Sequence, residues 1–70
     1  MERIMKLYLN GNSHTHLGDA SLDSLFKELG INQAKVAILL NDEIIKRDTF
    51  GSIKLAENDK IEILTFAGGG

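Results

Sequence analysis

The chain of 70 residues contains no cysteine and no proline. Without cysteine there is no disulfide framework, no thiolate zinc site and no thiol nucleophile, a composition that fits a reducing compartment. Positive charge is sparse. Arg3, Lys6, Lys27, Lys35, Lys46, Arg47, Lys54 and Lys60 are scattered and the formal net charge is −2, so no basic stripe is present to track a phosphate backbone, and nucleic acid is not an expected partner. The longest apolar run, Val36 to Leu40, is far too short to span a bilayer. The N-terminus lacks the long apolar stretch of a signal peptide, which makes a cytoplasmic location the expectation and a membrane partner unexpected. Ser-His-Asp order, a P-loop and a dinucleotide fingerprint are all missing.

What remains is a small globular domain. Apolar residues make up 43% of the chain, in the range of folded domains rather than disordered ones, and the length allows one modest core. Met5, Leu7 and Leu9 alternate with Lys6 and Tyr8, the period of a half-buried strand. Asn10-Gly11 follows, a strong hairpin signal because both residues tolerate φ > 0, and Ser13 to Leu17 reads as the return strand. Leu22, Leu25, Phe26 and Leu29 then recur at i, i+3, i+4 and i+7, the apolar stripe of a helix. Ser21 is placed to cap it, Asp23 suits its first turn, and Gly30 can take the left-handed position at its end. At about nine residues such a helix is marginal alone and must form by packing on a sheet.

Lys35 to Leu40 reads as a further, nearly continuous apolar strand. Asn41-Asp42 turns the chain into a short strand at Ile44-Ile45. Residues 47–52 look irregular, with Phe50 their one aromatic. Glu57-Asn58-Asp59 is a turn before the last strand, Lys60 to Phe66, in which Ile61 and Ile63 face one way and Glu62, Leu64 and Phe66 the other. One helix on one face of a mixed sheet is a two-layer α+β arrangement, and a right-handed crossover joins the hairpin to the next strand. The compact solution is a β-grasp, the ubiquitin-like roll, with four to five strands and one main helix. The first and last strands then lie side by side in the middle. The expected organisation is a β-grasp domain over residues 1–66 and a flexible glycine tail over residues 67–70.

Candidate chemistry is thin along the body. His14 and His16 alternate onto one strand face, but two imidazoles without a third ligand make a weak metal pair, so solvated strand histidines are expected and no metal. Asp42-Glu43 and Glu57/Asp59 fall in turns, without the shielded pocket that separates the pKa values of a catalytic carboxylate pair. The reading is therefore a non-enzyme. Its one distinctive feature is Gly68-Gly69-Gly70 after Ala67. Glycine lacks a Cβ, so a thread of glycines ending in an α-carboxylate can enter a channel too narrow for side chains. A carboxylate is a poor electrophile and must be activated by a partner, with adenylation from ATP the obvious route.

Val36-Ala37-Ile38-Leu39-Leu40-Asn41-Asp42-Glu43-Ile44-Ile45-Lys46-Arg47, with Phe50 after it, resembles the ThiS-type sulfur carriers of thiamine biosynthesis, which commonly read V-A-x-x-x-N-x-E-x-V-x-R and then an aromatic. Residues 57–70 are similar to that family's G-D-x-I-E-I-x-x-x-V-G-G-G ending. Asn58 stands where the family often has Gly, but Asn also tolerates the left-handed turn. Ala67 stands where Val is common. The resemblance covers nearly the whole chain. It implies that the Gly70 carboxylate is adenylated by an E1-like, ThiF-like enzyme that consumes ATP, with no cofactor bound by the carrier itself. Sulfur from relay proteins then displaces AMP to leave a thiocarboxylate, which a ThiG-like thiazole synthase uses. Gly68 and Gly69 are the expected threading residues; Leu64 and Phe66, on the outward face of the last strand, and Ala67 read as a partner-binding patch beside the tail, with Phe66 folding back over the core edge as the alternative. Arg47 matches a family position, with a surface salt bridge as its simplest role. A MoaD-like small subunit of molybdopterin synthase, another sulfur carrier, a ubiquitin-like protein modifier and a plain β-grasp interaction domain remain open readings.

Overall fold

The structure is a computed structural model and describes residues 4–65. Five strands form one mixed sheet: β1 (Ile4–Leu9), β2 (Asn12–Leu17), β3 (Val36–Leu40), β4 (Glu43–Ile45) and β5 (Lys60–Thr65), with the helix α1 (Leu22–Leu29) between β2 and β3. Their order across the sheet is β2-β1-β5-β3-β4. β1 and β5 are parallel neighbours at the centre, and the remaining pairings are antiparallel. This is the β-grasp roll that the order of elements predicted.

Local chemistry explains the corners. Asn10 and Gly11 have φ of 50° and 86°, and Asn41 and Asp42 have 51° and 72°. Consecutive positive φ values make tight turns whose twist matches that of the flanking strands. Asn58, at φ 71°, takes the left-handed position before β5. Helix α1 starts at Ser21, whose Oγ accepts from the Ser24 amide at 3.1 Å. It ends at Gly30, φ 68°, where the Ile31 amide donates to the Phe26 carbonyl at 3.0 Å and closes the last turn.

The stripe of α1 buries Leu22, Leu25 and Phe26 against Leu7, Val36, Ile38 and Ile61 of the sheet. Each such side chain contributes about 1.5–3 kcal/mol on burial, which is what holds so short a helix. Residues 47–52 depart from the irregular loop expected of them. Arg47–Ser52 is a 3₁₀ helix that drives Phe50 into the core, its ring 5.4 Å from that of Phe26. Leu55 joins the same core, tied down by the bond from its amide to the Ala20 carbonyl at 3.0 Å. The polar appearance of this segment conceals its role because one aromatic in six residues carries no period.

The expectation of solvated histidines is corrected. The register places His14 opposite Leu7 and His16 opposite Met5, so both lie on the helix side of the sheet, and His16 is 0% exposed. The strand alternation holds; what it does not reveal is that Glu28 of α1 comes down onto this face.

Candidate functional site

The face of the sheet away from α1 is open. On β5, Glu62 and Leu64 point to it while Ile61 and Ile63 point to the core. Leu64 is 52% exposed and lies opposite Ala37, while Leu39 lies opposite Ile44 on the other side of β3. Ile44 is 72% exposed. Leu64, Ala37, Leu39 and Ile44 thus form an apolar strip that runs from the tail end of β5 across β3 to β4, beside Glu62. Ile44 is not among the residues expected here from sequence; the Asn41-Asp42 turn was its signal, because a two-residue turn fixes Ile44 opposite Leu39 and outward. Of the other residues expected at this site, Phe66, Ala67, Gly68, Gly69 and Gly70 lie outside the described residues.

β5 is held by asparagine side chains as well as by strands. The Ile63 amide donates to Asn10 Oδ1 at 2.7 Å, and Asn10 Nδ2 donates to the Ile63 carbonyl at 3.3 Å. At the other end the Lys60 amide donates to Asn41 Oδ1 at 2.9 Å, and Asn41 Nδ2 donates to Asp59 Oδ1 at 3.0 Å. The turn carboxylates serve the same purpose: Asp59 Oδ2 accepts from the Ala56 amide at 2.8 Å and Glu57 Oε1 from the Lys6 amide at 3.1 Å. Arg47 forms no surface salt bridge among the described residues. Its Nε donates to the Gln33 carbonyl at 3.2 Å and its Nη2 to the Val36 carbonyl at 3.0 Å.

The second polar cluster joins β2 to α1. Glu28 Oε1 lies 2.9 Å from His14 Nε2 and 2.8 Å from His16 Nδ1, and Oε2 accepts weakly from the Leu17 amide at 3.4 Å. His16 Nε2 is 2.7 Å from the Asp19 carbonyl. Burial raises the Glu28 pKa, but the hydrogen bonds from His14, His16 and Leu17, with the charge on His16, outweigh it and bring it from 4.5 to about 2. An ionised carboxylate and a carbonyl can only accept, so both His16 bonds form together only with a proton on each ring nitrogen. Among the described residues no group of three His, Cys, Asp or Glu side chains could hold a metal ion. The recess lined by Asp19, Ala20, Ser21 and Lys54 is half-open and mainly polar, unlike the enclosed apolar cleft of a small-molecule site. No helix among the described residues is long and apolar enough to cross a membrane.

By its sheet order and the one α-helix among the described residues the protein is of the β-grasp class, with an exposed apolar strip on the open face of its sheet. Its residues 7–70 match the model of the ThiS family. It is similar in structure to the thiamine biosynthesis protein ThiS of Geobacter metallireducens, with a TM-score of 0.78 and 33% identity, over 94% of this chain and 100% of that one. In sequence it is 39% identical over 66 residues to a thiazole synthase of Magnetococcus marinus, covering 94% of this chain and 20% of that protein. It is also 33% identical over 66 residues to the uncharacterized protein ycf40 of Pyropia yezoensis, covering 94% and 93% of the two chains. The chain therefore spans about a fifth of the length of the thiazole synthases it matches. The chain belongs to the ThiS family.

Proposed function

We propose that this protein is a sulfur carrier of thiamine biosynthesis whose reacting group is the α-carboxylate of Gly70. The observation that carries the reading is the family match running through residue 70 on a β-grasp body whose last central strand leads into the glycines. The body is a handle and the tail is the working part. Side chains at residues 68–70 would fill a narrow channel, whereas glycines leave it to the main chain alone.

In this reading the Gly70 carboxylate attacks the α-phosphate of ATP on a ThiF-like adenylating enzyme, releasing pyrophosphate and forming an acyl-adenylate. Hydrosulfide supplied by a sulfur-relay protein then attacks the acyl carbon and AMP leaves, which yields the thiocarboxylate. The thiocarboxylate is the better nucleophile and passes its sulfur to a ThiG-like thiazole synthase. The relatives that are themselves thiazole synthases, in which a region like this chain makes up about a fifth of the protein, support that choice of recipient. The carrier itself binds no cofactor and catalyses no step, and it works in the cytoplasm alongside these partners. The apolar strip of Leu64, Ala37, Leu39 and Ile44, continuing in sequence to Phe66 and Ala67, is the surface the partners grip; exposed apolar patches of this kind mark interaction sites.

Intact-mass analysis of the protein from a sulfur-competent host tests the reading. A carrier gains the mass of one oxygen-to-sulfur exchange at its C-terminus. Higher-mass protein conjugates would indicate a ubiquitin-like modifier instead, and an unchanged mass with activity that survives deletion of Gly70 would indicate an interaction domain with an inert tail.

A further inference from the structure

β5, which leads to the tail, and its antiparallel neighbour β3 run on past the strands beside them. The β1–β5 pairing ends at Leu9 and Ile61, and the β3–β4 pairing at Ile38 and Ile45. β3 and β5 stay paired beyond both points, as far as Val36 and Thr65. The sheet thus narrows to a two-stranded ribbon at the point where residues 66–70 follow in sequence. A two-stranded ribbon is marginal in water on its own and twists readily.

On each flank a side chain takes over where a strand stops. On the β1 side it is Asn10, whose carboxamide both accepts from the Ile63 amide and donates to the Ile63 carbonyl, at 2.7 and 3.3 Å. A parallel β1 running on would have met the same two groups of Ile63 with two residues, the carbonyl of one and the amide of another. On the β4 side it is Arg47, whose guanidinium spans the Val36 and Gln33 carbonyls at 3.0 and 3.2 Å. Val36 is the β3 residue opposite Thr65. The planar fork of arginine suits two carbonyls at once, which a lysine ammonium cannot reproduce.

We propose that Asn10 and Arg47 are positioning residues that fix the direction in which the β3–β5 ribbon presents the C-terminal glycines to the adenylating enzyme. The proposal rests on the reading that Gly70 is the reacting group. Both residues act through the main chain of the ribbon. With either lock removed, the ribbon samples several directions and only the fraction aligned with the partner's channel is productive, which lowers the apparent efficiency by that fraction.

The test uses the full chain, a ThiF-like enzyme and ATP, with pyrophosphate release measured against carrier concentration. Asn10→Gly keeps the positive φ that the turn requires and removes the carboxamide; Asn10→Asp keeps the acceptor and loses the donor; Arg47→Lys keeps the charge and loses the fork. Ile31→Ala, a partly buried position after α1, is the stability control, and all rates are taken at a temperature where every variant is folded by circular dichroism. The expected result is a fall in kcat/KM of about tenfold for Asn10→Gly and for Arg47→Lys, partial recovery in Asn10→Asp, no fall for Ile31→Ala, and faster amide exchange at Ile63 in Asn10→Gly. Rates for Asn10→Gly and Arg47→Lys equal to that of the control would overturn the proposal while leaving the carrier reading intact. A wild-type chain that the enzyme does not adenylate would overturn the carrier reading, and the proposal with it.

Discussion

Glu28→Gln is the substitution that most directly probes how this small fold is held. Glu28 binds both His14 and His16 through one oxygen, and His16 is wholly buried beneath it. Its pKa of about 2, against an ordinary 4.5, corresponds to roughly 3 kcal/mol favouring the ionised form in the folded state. The side chain is 28% exposed, and solvent screening trims this to about 2 kcal/mol. The sign follows from linkage: a depressed carboxylate pKa stabilises fully above the unfolded value of 4.5, and that contribution is lost as pH falls toward about 2. Glutamine keeps the shape but not the charge, and leaves the two imidazoles facing an amide. At neutral pH the variant should lose about 2 kcal/mol, a fall in Tm of roughly 8–16 °C for a domain of this size. Thermal and urea unfolding of both proteins from pH 7 down to pH 2 reads the effect. The difference in stability should shrink as pH falls from about 4.5 to about 2, because every other carboxylate titrates equally in both. A difference that stays the same across that range, or no difference at neutral pH, would refute the assignment of the stabilisation to the ionised carboxylate.

Three other substitutions have definite expected outcomes. Asn41→Gly retains the φ of 51° but loses the bonds to Lys60 and Asp59, and chemical denaturation should record a loss of about 1–2 kcal/mol. Phe50→Ala opens a cavity against Phe26 and should cost about 3–5 kcal/mol, enough to leave so small a domain largely unfolded by circular dichroism. Leu64→Asp, on the open face, should change stability by less than about 0.5 kcal/mol while weakening capture by the adenylating enzyme in a surface-binding measurement; the converse pattern would remove Leu64 from the docking surface.

The elements of the fold that repeat with a period are legible in the amino-acid sequence. The alternation of Met5, Leu7 and Leu9 marks β1, the spacing of Leu22, Leu25, Phe26 and Leu29 marks α1, and Asn10-Gly11 and Asn41-Asp42 mark the two hairpin turns. What escapes are interactions between parts of the chain far apart in sequence. His16 reads as a polar strand residue until Glu28, 12 positions away, is seen to lie above it. Phe50 reads as a lone aromatic in a loop until a 3₁₀ turn swings it under α1. Arg47 invites a salt bridge by its charge, yet its partners are main-chain carbonyls, which carry no residue signature. The outward face of β5 follows from alternation, which places Leu64, whereas Ile44 joins the same strip only through the register of a neighbouring strand.

The central claim is that the carboxylate of Gly70 accepts sulfur, and mass spectrometry of the intact protein tests it most directly. Wild type and a variant lacking Gly70 are incubated with ATP, sulfide and a ThiF-like enzyme. The account predicts one oxygen-to-sulfur exchange, localised by fragmentation to the terminal glycine of the wild type, and none in the shortened chain. An unmodified wild type under conditions where the enzyme converts a known carrier would contradict it.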